Sequence, residues 1–134
     1  MIVVDTNIIA YMTFETRHSA MVTLLHQKDP VWEVPSLWKS EFLSILALYS
    51  RKGLIDYQES LSALDFAERL ISSREHKVSP RDVLDAVADS SCSSYDCEFL
   101  ALAGKLGTKL ITYDKKMQEE FPKTALSPEA YLAT

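Results

Sequence analysis

Four acidic residues in this sequence stand where acids are expensive. Met1-Ile2-Val3-Val4 is an apolar run closed by Asp5, and Leu110-Ile111-Thr112-Tyr113 leads directly into Asp114. Glu41 has Leu37, Ile45 and Leu48 at i−4, i+4 and i+7, which sets it beside an apolar stripe in a helical segment. Asp96 has Phe99, Leu100 and Ala103 at i+3, i+4 and i+7, so it opens the inward side of its own helix. A carboxylate beside a core must be paired or bound to a cation, because an isolated buried charge costs too much. Four of them in one place repel unless a cation holds them, and oxygen-only ligands suit Mg²⁺ or Mn²⁺ rather than zinc. Each acid also has an ordinary explanation. Asp5 and Asp96 could cap helices and Asp114 could sit in a turn. Glu41 has the weakest such alternative, since no salt-bridge partner is evident. The coincidence of all four at strand ends and inward helix starts points to one catalytic, metal-binding site made of Asp5, Glu41, Asp96 and Asp114.

The elements that must position these residues follow from apolar patterning. Ile2-Val3-Val4 is a short β-branched run, too short for a helix, and reads as a buried strand of a parallel sheet. A short helix from Asn7 to Met12 follows, then one from about Ser19 to Lys28, broken by Asp29-Pro30. Val31 to Val34 is a second strand. Ser36 is expected to cap a long helix that runs to Lys52 and stops at Gly53. Further helices are expected over Tyr57 to Ser73, Pro80 to about Ser91 and Ser94 to Leu106, with at most a brief strand over Glu75 to Val78. Lys109 to Thr112 is another buried strand, Lys115 to Glu120 a helical turn, Thr124 to Leu126 a last strand, and Ser127-Pro128-Glu129 opens a terminal turn. Short apolar strands alternating with helices predict an α/β fold of three layers, with a central, mainly parallel sheet of four or five strands. No repeat, low-complexity tract or linker divides the chain, so a single domain over residues 1–134 is expected. In such sheets chemistry collects beyond the carboxyl ends of the strands, where Asp5 and Asp114 fall.

Composition narrows the class. At 134 residues, 47% hydrophobic and 25% charged, the chain has an ordinary globular make-up, which argues against disorder. No apolar run reaches a membrane span and no basic leader precedes the first one, so a cytoplasmic protein without a signal peptide is expected. Cys92 and Cys97 lack the spacing of a redox or zinc motif and read as buried reduced thiols. The net charge of −5 argues against non-specific nucleic-acid binding through a basic surface. It leaves room for a metal-dependent enzyme whose clustered carboxylates are masked by cations.

The same residues carry a family resemblance that spans nearly the whole chain. Ile2-Val3-Val4-Asp5-Thr6-Asn7, Glu41 in the third helix, Ser94-Tyr95-Asp96 followed by Phe99-Leu100-Ala101-Leu102-Ala103, and Leu110-Ile111-Thr112-Tyr113-Asp114 together resemble PIN-domain ribonucleases. Among these, the chain looks like the small VapC-like toxins of toxin–antitoxin pairs. Each piece is short; their order and spacing make the likeness specific. The resemblance implies that Asp5, Glu41, Asp96 and Asp114 bind Mg²⁺ or Mn²⁺, with Thr6 and Thr112 as supporting hydroxyls. It implies metal-assisted hydrolysis of RNA phosphodiesters, leaving a 5′-phosphate and a 3′-hydroxyl. It further implies a homodimer and a cognate antitoxin. Cys97 departs from the pattern, where Ala is common, and is expected to be tolerated as a small residue.

Other groups have plainer explanations. His18, His26 and His76 are scattered without ligand spacing. Asp82, Asp85 and Asp89 share a helical face that reads as solvated. Lys39, Lys115 and Lys116 neighbour the candidate acids and are as consistent with surface lysines as with phosphate contacts. Tyr11, Phe14, Trp38, Phe42 and Tyr49 are core or interface aromatics. A phosphotransfer receiver needs an acidic pair after strand one and a phosphoacceptor Asp on a middle strand, and neither is present. A haloacid-dehalogenase-type phosphatase needs D-x-D, and Asn7 occupies the second position. A phosphate-binding loop is missing, since the glycines fall at 53, 104 and 107. The remaining rival is a catalytically silent PIN fold that acts as a binding subunit.

Overall fold

The fold was described from a computed structural model in which all 134 residues are placed. In chain order the elements are β1 (Ile2–Val4), α1 (Thr6–Thr13), α2 (Ser19–Lys28), β2 (Trp32–Pro35), α3 (Trp38–Arg51), α4 (Tyr57–Ile71) and β3 (Glu75–His76). They continue with α5 (Pro80–Ala88), α6 (Ser94–Leu106), β4 (Leu110–Ile111), α7 (Lys115–Glu120), β5 (Ala125–Leu126) and α8 (Pro128–Leu132). All strands run parallel in the order β3-β2-β1-β4-β5, and helices cover the sheet in a three-layer α/β/α arrangement. The five-strand parallel sheet is the architecture the apolar runs predict.

Ile2, Val3 and Val4 are all fully buried, so β1 is covered on both faces. That explains its continuous apolar run, where a half-exposed strand would alternate. The chain builds outward from β1 to β2 and β3, then returns to place β4 and β5 on its other side. The reversal falls between β1 and β4, the strands that lead into Asp5 and Asp114, and the crevice beyond such a reversal is where parallel sheets bind ligands. The Asp5 N–H donates to the Ile111 carbonyl at 3.0 Å, tying the end of β1 to the end of β4.

Three local expectations need correction. Ser36 does not cap α3: the helix starts at Trp38, and Leu37 fills the cap position without a side-chain bond. The Ser36 N–H and hydroxyl both donate to the His76 carbonyl, at 2.9 and 3.1 Å, so pairing with the edge strand has claimed the residue. Helix α4 ends at Ile71, because Ser72 and Ser73 turn into the left-handed region at φ 50° and 67°. Helix α5 ends at Ala88, and the Ser90 hydroxyl donates to the Ala86 carbonyl just beyond it. Trp38 and Phe42 are wholly buried and belong to the core, so neither contributes to an exposed aromatic surface. Cys92 and Cys97 are buried and free. No helix is long and apolar enough to cross a membrane.

Candidate active site

Asp5 is the N-cap of α1, where its Oδ1 accepts the Thr6 N–H at 2.8 Å. Its Oδ2 accepts the Thr112 hydroxyl at 2.8 Å. The Thr112 oxygen in turn accepts the Asp114 N–H at 3.0 Å. The Thr6 hydroxyl donates to Glu41 Oε1, also at 2.8 Å. One hydrogen-bonded chain therefore runs from the backbone of Asp114 through Thr112, Asp5 and Thr6 to Glu41. Thr6 and Thr112 are the two buried polar residues of the molecule, and both are spent on orienting carboxylates.

Asp114 is the N-cap of α7, its Oδ1 accepting the Met117 N–H at 3.0 Å. Asp96 is not a cap. Ser93 holds that place in α6, accepting the Asp96 N–H at 3.1 Å, and this leaves the Asp96 carboxylate free in the first turn. Asp5, Thr6, Glu41, Asp96 and Asp114 line a single cleft of about 460 Å³, and Thr112 lies beneath Asp5. Its second wall is a stripe of α3 and its approach: Leu37, Ser40, Glu41, Ser44 and Ile45 recur at helical spacing.

The electrostatics follow from this crowding. Burial pushes Asp5 up from its ordinary 3.8 to about 6; Thr112 and Thr6 pull it down, while the charges of Glu41 and Asp96 push it further up. Glu41 is raised by burial, opposed by the Thr6 hydroxyl and assisted by Asp96 and Glu98. Asp96 is raised by burial and by Asp114. No Lys or Arg lines the cleft. Lys39 is turned away toward Glu68 and Glu75, at 3.8 and 3.7 Å. Lys115 is exposed, and the charge of Lys116 only partly opposes the rise of Asp96.

All oxygens in the cleft are hard donors, the set that suits Mg²⁺ or Mn²⁺. As they lie, no three acids close tightly enough to enclose an ion. Asp5, Glu41 and Asp114 are each engaged by hydrogen bonds from neighbouring groups. The donor chemistry fits a divalent cation, and the enclosing geometry requires side-chain closure around it.

Two participants escaped the sequence. Glu120, at the end of α7, accepts the Ser91 N–H at 3.0 Å, the Ser91 hydroxyl and the Cys92 thiol at 3.3 Å. It thereby ties the helix capped by Asp114 to the loop that delivers Asp96. Nothing in the sequence signals this, because it depends on α7 folding back against the α5–α6 connection. Tyr95 lines the cleft with its ring exposed. None of the histidines enters it: His18 packs on Tyr11 and Tyr113, His26 on Trp32, and His76 pairs with Glu33.

The PIN domain family matches residues 2–123, and the chain belongs to that family. PIN domains are generally nucleases and typically use divalent metal ions. Among solved structures, the fold is similar to PAE2754 from Pyrobaculum aerophilum, at TM-score 0.72 and 20% identity over 98% of this chain and 92% of that one. It is also similar to FitAcB from Neisseria gonorrhoeae, at TM-score 0.75 and 13% identity over 96% and 99% of the two chains. No curated protein matches the sequence.

Proposed function

We propose that this PIN-domain protein is a Mg²⁺- or Mn²⁺-dependent ribonuclease, with Asp5, Glu41, Asp96 and Asp114 as its metal-binding and catalytic acids. The observation that carries this reading is four carboxylates from four separate elements facing one cleft that no basic side chain neutralises. Bound there, the cation supplies Lewis acidity toward water and the phosphodiester, along with the positive charge that the site lacks. The protein's own part is positional. Thr112 fixes one oxygen of Asp5 while the start of α1 fixes the other, and Thr6 sets the rotamer of Glu41. Asp114 is held by the first turn of α7, and Asp96 is the acid left freest to adjust.

The sequence resemblance to VapC-like proteins supports a cytoplasmic toxin that self-associates and is neutralised by an antitoxin. The test is cleavage of total RNA with Mn²⁺, with and without EDTA, in the wild type and in Asp5→Asn, Glu41→Gln, Asp96→Asn and Asp114→Asn. Each variant is expected to lose nearly all cleavage. Full activity in any two of them would sink the site, and no metal-dependent cleavage by the wild type would leave the silent binding subunit as the better account.

A further inference from the structure

A cleft of four acids that receives a phosphodiester must hold one anion beside others. Ionised carboxylates only accept hydrogen bonds, so none of the four can hold a phosphate oxygen directly. The Thr6 hydroxyl is committed to Glu41 and the Thr112 hydroxyl to Asp5. No Lys or Arg lines the cleft. The uncommitted side-chain donors on its walls are Tyr95 on α6, Asn7 on α1, and Ser40 and Ser44 on α3. The last three belong together. The Thr6–Glu41 bond joins α1 to α3, and it brings Asn7, one residue after Thr6, and Ser40, one before Glu41, to the same junction. Ser44 follows Ser40 by one turn on the same side of α3, roughly 6 Å further along the axis. All three are exposed, and none spends its side chain inside the molecule. Asp5 caps α1, which leaves Asn7 free of that duty. Thr13, Thr23 and Ser60 fold their hydroxyls back onto the carbonyl four residues earlier, the usual habit of a helical hydroxyl, whereas Ser40 and Ser44 do not. Neutral donors also suit this place. A Lys or Arg beside four carboxylates would pair with them and contend with a cation for its ligands; an amide or hydroxyl binds a phosphate oxygen without doing so.

We infer that Asn7, Ser40 and Ser44 form a phosphate-oxygen subsite on the α1–α3 side of the cleft, holding by neutral hydrogen bonds the non-bridging oxygens of the backbone. This rests on the ribonuclease reading above and adds to it the residues that orient the substrate. Their spacing along α3 is too wide for Ser40 and Ser44 to share one oxygen, so they take different oxygens of the chain, with the Asn7 amide beside Ser40.

The experiment compares wild type, Asn7→Ala and the double variant Ser40→Ala/Ser44→Ala. Alanine favours helix, so both variants should keep the fold, which melting curves check. Binding of a labelled mixed-sequence oligoribonucleotide is followed by fluorescence anisotropy with Ca²⁺. KM and kcat are then measured with Mn²⁺ on the natural backbone and on Rp and Sp phosphorothioate backbones. Sulfur accepts hydrogen bonds poorly, so the wild type should lose rate with the isomer whose sulfur faces α3. In each variant kcat/KM on the natural backbone is expected to fall roughly 10- to 150-fold, the worth of a hydrogen bond to a charged group, and that sulfur penalty to disappear. Calorimetric Mn²⁺ affinity without RNA should not move. Wild-type binding and cleavage in either variant overturns the proposal. So does a loss of rate that leaves both sulfur penalties at their wild-type size, which marks residues acting through the fold. A wild type that binds RNA through these residues but cleaves nothing keeps the subsite and removes the nuclease reading; one that binds no RNA removes both.

Discussion

Asp5 ends a strand, caps a helix and accepts a buried threonine, all with one carboxylate. The four acids were legible because each sits in an apolar context that a solvated acid would avoid. Their hydrogen-bond partners were not legible from spacing, since Thr6 meets Glu41 across 35 residues and Thr112 meets Asp5 across 107; only the family resemblance pointed to those hydroxyls. The exposure of Tyr95 on the cleft wall and the bonds of Glu120 to Ser91 and Cys92 were not legible, because exposure and a clamp between two loops are properties of packing. Glu41 permits a sharp test. Its side chain contacts the Thr6 hydroxyl and forms no salt bridge. An amide oxygen still accepts that hydroxyl, though less strongly than a carboxylate, so Glu41→Gln removes like-charge repulsion while keeping the bond's partners. Without metal the variant should melt at the same temperature or higher. It should also lose the stabilisation that Mn²⁺ gives the wild type. A strongly destabilised metal-free variant, of the order of 3–5 kcal/mol, would mean that Glu41 balances a buried cation.

At the level of elements, the long periodic helices were readable and their ends were less so. Ser36 carries the signature of a cap, yet the β3 edge takes both of its donors, a tertiary pairing that no local pattern encodes. The end of α4 was missed for a related reason: Ser72 and Ser73 continue the polar periodicity but adopt left-handed backbone usually reserved for glycine. Ser72→Gly should therefore stabilise the fold by about 0.5–1 kcal/mol, the relief of left-handed strain less the added freedom of the unfolded chain. An unchanged or lower melting temperature would show that the surrounding turn holds Ser72 without cost. Asp114 caps α7 as well as facing the cleft, and the two roles separate by substitution. Asn caps as well as Asp, so Asp114→Asn should lose cleavage at little cost in stability, whereas Asp114→Ala should lose cleavage and a further 1 kcal/mol or so. Urea melts of the two variants side by side decide it; equal stabilities would mean that the cap bond contributes nothing.

On the scale of the whole molecule, continuous apolar runs announced a parallel sheet, but the strand order could not be read from segments only two to four residues long. The order β3-β2-β1-β4-β5 depends on which helix crosses which face, and it is this order that brings Asp5 and Asp114 side by side. The consequence is an acidic cleft whose charge works against folding. Asp5 titrates near 6 in the folded chain against an ordinary 3.8, so between these values the folded state keeps a proton that the unfolded chain has released. The stabilisation from that proton is complete below the ordinary value and lost as pH rises through the raised one. The span corresponds to about 3 kcal/mol for Asp5, and Glu41 and Asp96 shift in the same direction. Metal bound at these acids, as proposed, would reverse the sign, because ligation requires the ionised form and its affinity grows with pH. With Mn²⁺ at one hundred times its dissociation constant, the gain is about 2.7 kcal/mol. In EDTA, therefore, the stability difference between wild type and Asp5→Asn should turn against the wild type as pH rises from about 5 to 7, since Asn keeps the cap and carries no charge. In excess Mn²⁺ the difference should swing back in favour of the wild type over the same interval. Chemical melts of both proteins under the four conditions measure this directly, and a difference in EDTA that is flat or grows toward the wild type would place the charge of Asp5 in a site that already compensates it without metal.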